Sequence, residues 1–196
     1  MTSSALDQPA TRAQGLKAVT AAAHGRLDQA IMAGQPFESR ERYGRLLAVQ
    51  YLFHRDIAAL YGIPALAGLL PDLQGRRRLD LIAADLADLG LALPDAPAPA
   101  LDAATAVPTA LGWLYVAEGS NLGAAFLLKA AAGLGLGEEF GARHLAAAPE
   151  GRGLHWKTFV AALDAVALSP AEEDEVARGA EDAFARVRAH VADIFG

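Results

Sequence analysis

Apolar residues recur every three or four positions along most of the chain, and no stretch alternates with the period of two that marks a half-buried strand. The first stripe, Leu16, Thr20, Ala23, Leu27 and Ile31, predicts a helix from about Thr11 to Ala33, behind a loose tail at residues 1–10. GQPFES breaks that pattern, and Ser39 is placed to cap a second helix that runs to about Tyr61. Leu47, Gln50, His54, Ile57 and Tyr61 share one face of it. Pro64 and Pro71 bracket a short helical segment, and Leu79, Ile82, Leu86 and Leu89 mark a helix from about Gln74 to Leu89. The proline-rich run from Leu91 to Leu101 reads as a surface loop.

A central helix is expected from Val107–Pro108 to about Ala132, followed by a turn and a short helix in GLGLGEEFGARH. Trp156, Phe159, Leu163 and Val166 give the stripe of a helix from Gly153 to Val166. Ser169-Pro170-Ala171-Glu172 has the form of a capping box with proline at the first helical position. It opens a last helix with the stripe Val176, Ala180, Phe184, Val187 and Val191. No repeat or linker divides the pattern, so the expected architecture is one all-α, multi-helix domain over residues 11–196.

Composition narrows the chemistry. Hydrophobic residues make up 53% of the 196 and charged residues 20%, which is globular rather than disordered. The net charge of −6, with no long basic tract, makes nucleic acid an unexpected partner. There is no cysteine, so disulfides, thiolate metal sites and thiol catalysis are excluded. No apolar leader core appears near the start, and the tract Ala103 to Ala117 falls short of the roughly 20 apolar residues of a membrane span. The expected location is the cytoplasm, with no membrane partner.

Candidate chemistry concentrates in the central helix, at EGSNLGAAFLLK. Each interior glycine costs a helix about 1 kcal/mol relative to alanine. Tyr115, Gly119 and Gly123 lie at i, i+4 and i+8 and so share one face. That bare strip fits either a second helix packed closely or a flat ligand against the backbone. His24 shares the stripe of Thr20, Leu27 and Ile31, where a histidine is ordinarily a core residue. The small neighbours Ala21, Ala22, Ala23 and Gly25 also leave room for a bulky ligand, and His54 competes for that part. The isolated histidines fit one axial ligand to a cofactor better than a multi-ligand metal site. Lys17 precedes His24 by seven residues, which returns it to the same face about 10.5 Å away. Arg76, Arg77 and Arg78 read as a solvated helix start, as a dock for an acidic redox partner, or as holders of a buried water. The acids of DLADLG and AEEDE read as solvated faces.

TALGWLYVAEGSNLGAAFLL, EEFGARHLA, PEGRGLHW, QPFESRE and QYLF occur in order and at spacings that resemble the bacterial haem oxygenases of the Pseudomonas and Neisseria type. The resemblance spans residues 12 to 190. It implies a fold in which haem b lies between a proximal and a distal helix. His24 would be the proximal iron ligand. Gly119 and Gly123, with Ser120 between them, would leave space on the distal side. Lys17, Tyr115 and Lys129 would fix the haem, and Gln50, His54 and Arg78 would hold distal waters. His144 and His155 look structural. The reaction it implies uses O2 to cut haem into biliverdin, carbon monoxide and ferrous iron. The Lys17–Tyr115 pair, with Met32 where some relatives carry lysine, favours the IXα isomer. No flavin or nicotinamide fingerprint is present, so a ferredoxin or a flavin-dependent reductase is the expected electron donor. A phytochrome is a conceivable acceptor of biliverdin, and a monomer is expected. The rivals are a haem-binding or haem-storage protein without turnover and, on a similar helical scaffold, thiamin-type pyrimidine hydrolysis, against which the lack of cysteine argues.

Overall fold

Helix propensity and capping place seven α-helices in the computed structural model of the chain, which describes residues 10–95 and 98–196. They are α1 (Arg12–Ala33), α2 (Arg40–Asp56), α3 (Pro64–Leu69), α4 (Leu79–Asp88), α5 (Val107–Ala132), α6 (Arg152–Ala165) and α7 (Pro170–Phe195). The expected tail lies outside the described residues apart from Ala10. The Ser169 box forms as predicted, with Glu172 Oε2 accepting from the Ser169 amide at 2.7 Å. Ser39 caps α2 by accepting from the Arg42 amide at 3.2 Å. A capping box of Thr11 and Gln14 starts α1, a signal the apolar pattern alone does not carry.

Two expected helices are interrupted. The second stops at Asp56 and continues as a 3-10 turn over Ala58–Gly62. The fourth is split: Gln74–Arg76 is a 3-10 turn, Arg77 is extended, and the α-helix begins only at Leu79. The break turns the three consecutive arginines in different directions. Only Arg77 is half-exposed, pairing with Asp80 at 3.4 Å, while Arg76 and Arg78 are buried. The solvated-start and docking readings of this cluster therefore fail.

The helices assemble around α7, on which α1, α2 and α5 all pack. The α5–α7 contact is the most extensive, and its closeness has a local cause. A Cβ on Gly112 would strike the Val176 carbonyl, and one on Gly179 would strike the carbonyl of Thr109. The two backbones touch where neither has a side chain. Phe53 of α2 stacks on Trp113 of α5 at 6.1 Å between ring centroids, within a core that includes Phe159 and Phe184. A second cluster joins Tyr43, Leu46 and Leu47 of α2 to Ile82 and Leu86 of α4 and to Ala124 and Ala131 of α5.

The acids of the sequence are less solvated than their spacing suggests. Asp85 is fully buried, and Glu173 pairs with Arg12 at 2.7 Å. Asp56, at the end of α2, is a buried hub. Arg186 Nε donates to its Oδ2 at 2.7 Å, His190 Nε2 lies 2.8 Å from the same oxygen, and the Ala100 amide donates to Oδ1 at 2.8 Å. The proline-rich loop is thereby tied to α2 and α7. Burial pulls the Asp56 carboxyl upward, but its bonds to His190, Arg186 and the Ala100 amide outweigh this and hold it at about 2. A depressed carboxylate stabilises the fold above its unfolded value of 3.8, and that share is lost as pH falls towards 2. Asp56→Asn should cost about 3 kcal/mol at neutral pH, as for one member removed from a buried pair. Thermal melts should show the difference from the parent protein shrinking between pH 4 and pH 2.

Candidate active site around α1 and α5

The glycines that the sequence singled out are not the ones at the helix contact. A Cβ on Gly123 would meet nothing within 4 Å, and one on Gly119 would only reach the edge of the Trp156 ring at 4.0 Å. Close packing is the work of Gly112, a turn and more earlier. Around the bare strip the surface of α5 is apolar and open: Leu122 is exposed, and Phe126 is 65% exposed. One such residue is ordinary, but two flanking a pair of glycines on one face form an exposed apolar patch. Ser120 turns away, its hydroxyl donating to the Ala117 carbonyl at 2.6 Å. Tyr115, buried at the start of the strip, packs against Trp156 with 5.7 Å between ring centroids. Burial raises its phenol pKa, so it acts as a neutral hydroxyl.

On α1 the two histidine candidates separate by access. The His24 side chain is 63% exposed, so it is not the core residue its stripe suggested. Its Nδ1 lies 3.1 Å from Asp28 Oδ2, one turn on, and its ring meets Phe184 of α7 edge-on at 5.8 Å. A carboxylate on one ring nitrogen orients the imidazole and leaves the other nitrogen as the ligand. Thr20 and Leu27, its neighbours on the stripe, point inward, and the Thr20 hydroxyl donates to the Leu16 carbonyl at 2.7 Å. Lys17 lies exposed on α1, and Lys129 lies exposed in the last turn of α5. His54, by contrast, is 6% exposed on α2. Burial, then the nearby His144 and Arg78, lowers its pKa to about 3, so it is neutral at any physiological pH.

Gln50 belongs to a chain of polar contacts that joins three elements. Its Oε1 lies 2.8 Å from His144 Nε2, and His144 Nδ1 lies 2.7 Å from Asp85 Oδ2. Asp85 also accepts from the backbone amides of Arg143 and His144, at 2.9 and 3.0 Å. With Asp85 a carboxylate, Nδ1 carries the proton and Nε2 accepts from the Gln50 amide, whose nitrogen and oxygen then exchange places. His144 is thus structural, as expected, yet it aims a candidate site residue.

A further buried polar group lies beneath α5, and pattern reading did not find the pair at its centre. Arg76 Nη1 donates to Glu118 Oε2 at 2.6 Å, and both side chains are 2% exposed. Arg76 also donates to the Pro71 carbonyl at 3.0 Å and lies over the Phe159 ring at 5.5 Å. Burial raises the Glu118 pKa, against the pull of Arg76. His155 of α6 brings Nε2 to 3.6 Å from the same Glu118 oxygen, while its Nδ1 pairs with Glu150 at 2.7 Å. Arg78 lies beside this group and electrostatically between Glu118 and His54. A glutamate next to two helical glycines was visible as a residue, but its partner 42 positions away was not.

The residues fit a flat, apolar, iron-bearing ligand: an oriented imidazole open on one helix, a side-chain-free apolar strip on another, and a cation on each. The Heme oxygenase family model matches residues 10–193. The heme oxygenase PigA of Pseudomonas aeruginosa is 49% identical over 175 residues, 89% of this chain and 88% of that relative. The NO- and CO-bound heme oxygenase of Neisseria meningitidis superposes with a TM-score of 0.89 at 43% identity, covering 95% of this chain and 92% of that one. An exposed histidine on α1, a bare strip on α5 and a family match over nearly the whole length place this chain in the haem oxygenase family.

Proposed function

We propose that this haem oxygenase binds haem with one face towards His24 and the other towards Gly119 and Gly123, and opens the ring to biliverdin IXα. The observation that carries the reading is the open space at both glycines of a helix whose first half is closely packed. Bound haem is both substrate and the source of the iron at which O2 is reduced, with electrons supplied by an external reductase such as a ferredoxin or a flavin-dependent enzyme.

The chain's own residues supply position, shape and polarity. His24 holds the iron through Nε2, with Asp28 orienting the ring. Gly119 and Gly123 let the α5 backbone approach the ring and deny the distal face a side-chain donor. Trp156 and Tyr115 wall one end of the strip, and Lys17 and Lys129 neutralise the propionates. Gln50 and Arg78 carry the donors that order distal water, and neutral His54 offers it a ring nitrogen without adding charge. No described helix is long and apolar enough to cross a membrane. The relatives lend no support to haem storage without turnover.

Substitutions at the two histidines, at Gly123 and Gly112, and at the Lys17–Tyr115 pair test these assignments. His24→Ala should remove the axial imidazole signature from the ferrous haem spectrum and abolish biliverdin formation, with the thermal midpoint within a few degrees of the parent; loss of ligation in His54→Ala instead would overturn it. Gly123→Ala should stabilise the haem-free fold by up to about 1 kcal/mol, the helix propensity gain, while weakening haem binding and turnover. Gly112→Ala should destabilise it by about 1–3 kcal/mol through overpacking, so denaturant titration separates the two glycines. Lys17→Asn with Tyr115→Phe should let haem rotate in its seat, and chromatography of the product should reveal isomers other than IXα.

A further inference from the structure

The helices α1 and α7 run parallel: Arg12 pairs with Glu173 at their starts, and Phe195 covers Gly34 at their ends. Between them lies a groove on the far side of α1 from the site described above. Val19, Ala22 and Arg26 sit roughly 180° around that helix from Lys17, His24 and Asp28. The groove exists because Ala22 and Ala23 of α1 meet Ala185 of α7, and three small side chains leave a cavity of about 180 Å³.

Its lining specifies an occupant. The buried ring of Phe184 lies at the bottom. Arg26 and Arg188 stand exposed at the rim, one from each helix, and neither has a hydrogen-bond or ion-pair partner among the described residues. Glu181 offsets one of their charges and leaves the rim with one positive charge. An apolar cavity of about 150 Å³ is enough to hold a benzene ring. Such a ring would lie against Phe184, and a carboxylate on it would take two parallel hydrogen bonds from a guanidinium. A tetrapyrrole is far larger than the space, and a dicarboxylate would meet Glu181.

We propose that this groove binds a small aromatic monocarboxylate, and that its occupancy is felt at His24. Phe184 is the link, because the same ring meets the His24 imidazole edge-on at 5.8 Å. A ligand seated on Phe184 restricts that ring and so steadies the imidazole for its partner. The coupling is reciprocal: the factor by which the carboxylate tightens haem binding is the factor by which haem tightens carboxylate binding. The binding site stands on the groove alone; the coupling to haem rests on the reading of His24 given above.

The probe is 4-fluorobenzoate, followed by fluorine NMR in the haem-free and the haem-loaded protein. It should bind both forms; in the second the haem seat is filled, so retained binding places the probe elsewhere. Ala185→Leu fills the groove from an exposed position and should abolish binding of the probe while haem affinity in its absence stays the same. Arg26→Gln with Arg188→Gln keeps the shape and should weaken the probe roughly tenfold, as the loss of two exposed charge pairs would. The uncharged 4-fluorobenzamide should bind the parent protein as weakly. In the haem-free protein the probe should shift the ring-proton resonances of His24, and in an absorbance titration it should tighten haem binding about fivefold. No binding, binding that survives Ala185→Leu, or binding indifferent to both arginines overturns the site. Binding in the groove with the His24 resonances unmoved overturns the coupling. A protein that binds the probe as expected yet ligates haem through another residue overturns the haem reading and leaves the groove standing.

Discussion

The backbone contact between α5 and α7 at Gly112 and Gly179 is the constraint on which the rest depends. It brings two 26-residue helices together where neither carries a side chain. With α5 seated there, Trp113 reaches Phe53 of α2, and the apolar residues of α6 close the core beneath it. The same helix then runs on past its support. Beyond Glu118 its outer face has no protein partner at Gly123 and only the rim of Trp156 at Gly119. One helix is thus buried for packing in its first half and bare on its outer face in its second.

The change occurs at Glu118, where the buried pair with Arg76 holds α5 to the 3-10 turn before α4. Desolvating two charges is expensive, and a buried pair adds little to stability compared with apolar residues of similar size. Its geometric effect is clearer. The pair sits one residue before Gly119, stacks its guanidinium over Phe159, and sets Arg78 two residues away. Polar burial on this side of the molecule is concentrated under the distal strip. The second polar cluster, Gln50–His144–Asp85, fixes α2 against α4 and leaves His54 a neutral neighbour.

Much of this was legible in the sequence because it is local. Caps at Ser39 and Ser169, the length of the central helix and the phase of Tyr115, Gly119 and Gly123 follow from residues within a few positions of one another. The resemblance of EGSNLGAAFLL and its neighbouring motifs then pointed to the family. What was misread is what burial decides. Arg76 and Arg78 fitted a solvated run, a dock or holders of a buried water equally well, because a linear pattern cannot show that the helix breaks at Arg77 and turns them inward. Asp85 looks like a surface acid because its partners, the amides of residues 143 and 144, lie nearly sixty residues downstream. His24 is a separate case: its stripe alone favoured a core residue, the family resemblance made it the iron ligand, and its side chain is exposed with Phe184 of α7 at one edge.

The sequence by itself determined an all-α chain, the extents of most of its helices, and a pair of glycines in phase with a tyrosine. Periodicity and capping are written in neighbouring residues, so they need no fold to be read. It left open whether those glycines served packing or a ligand, and whether His24 or His54 was the open imidazole. Only the tertiary structure removed the packing reading and showed His24 exposed and His54 buried, because both questions ask what lies across from a residue. That depends on contacts between segments far apart in the chain: Gly179 against Thr109 takes the packing role, and Phe184 beside His24 leaves its ring facing outward.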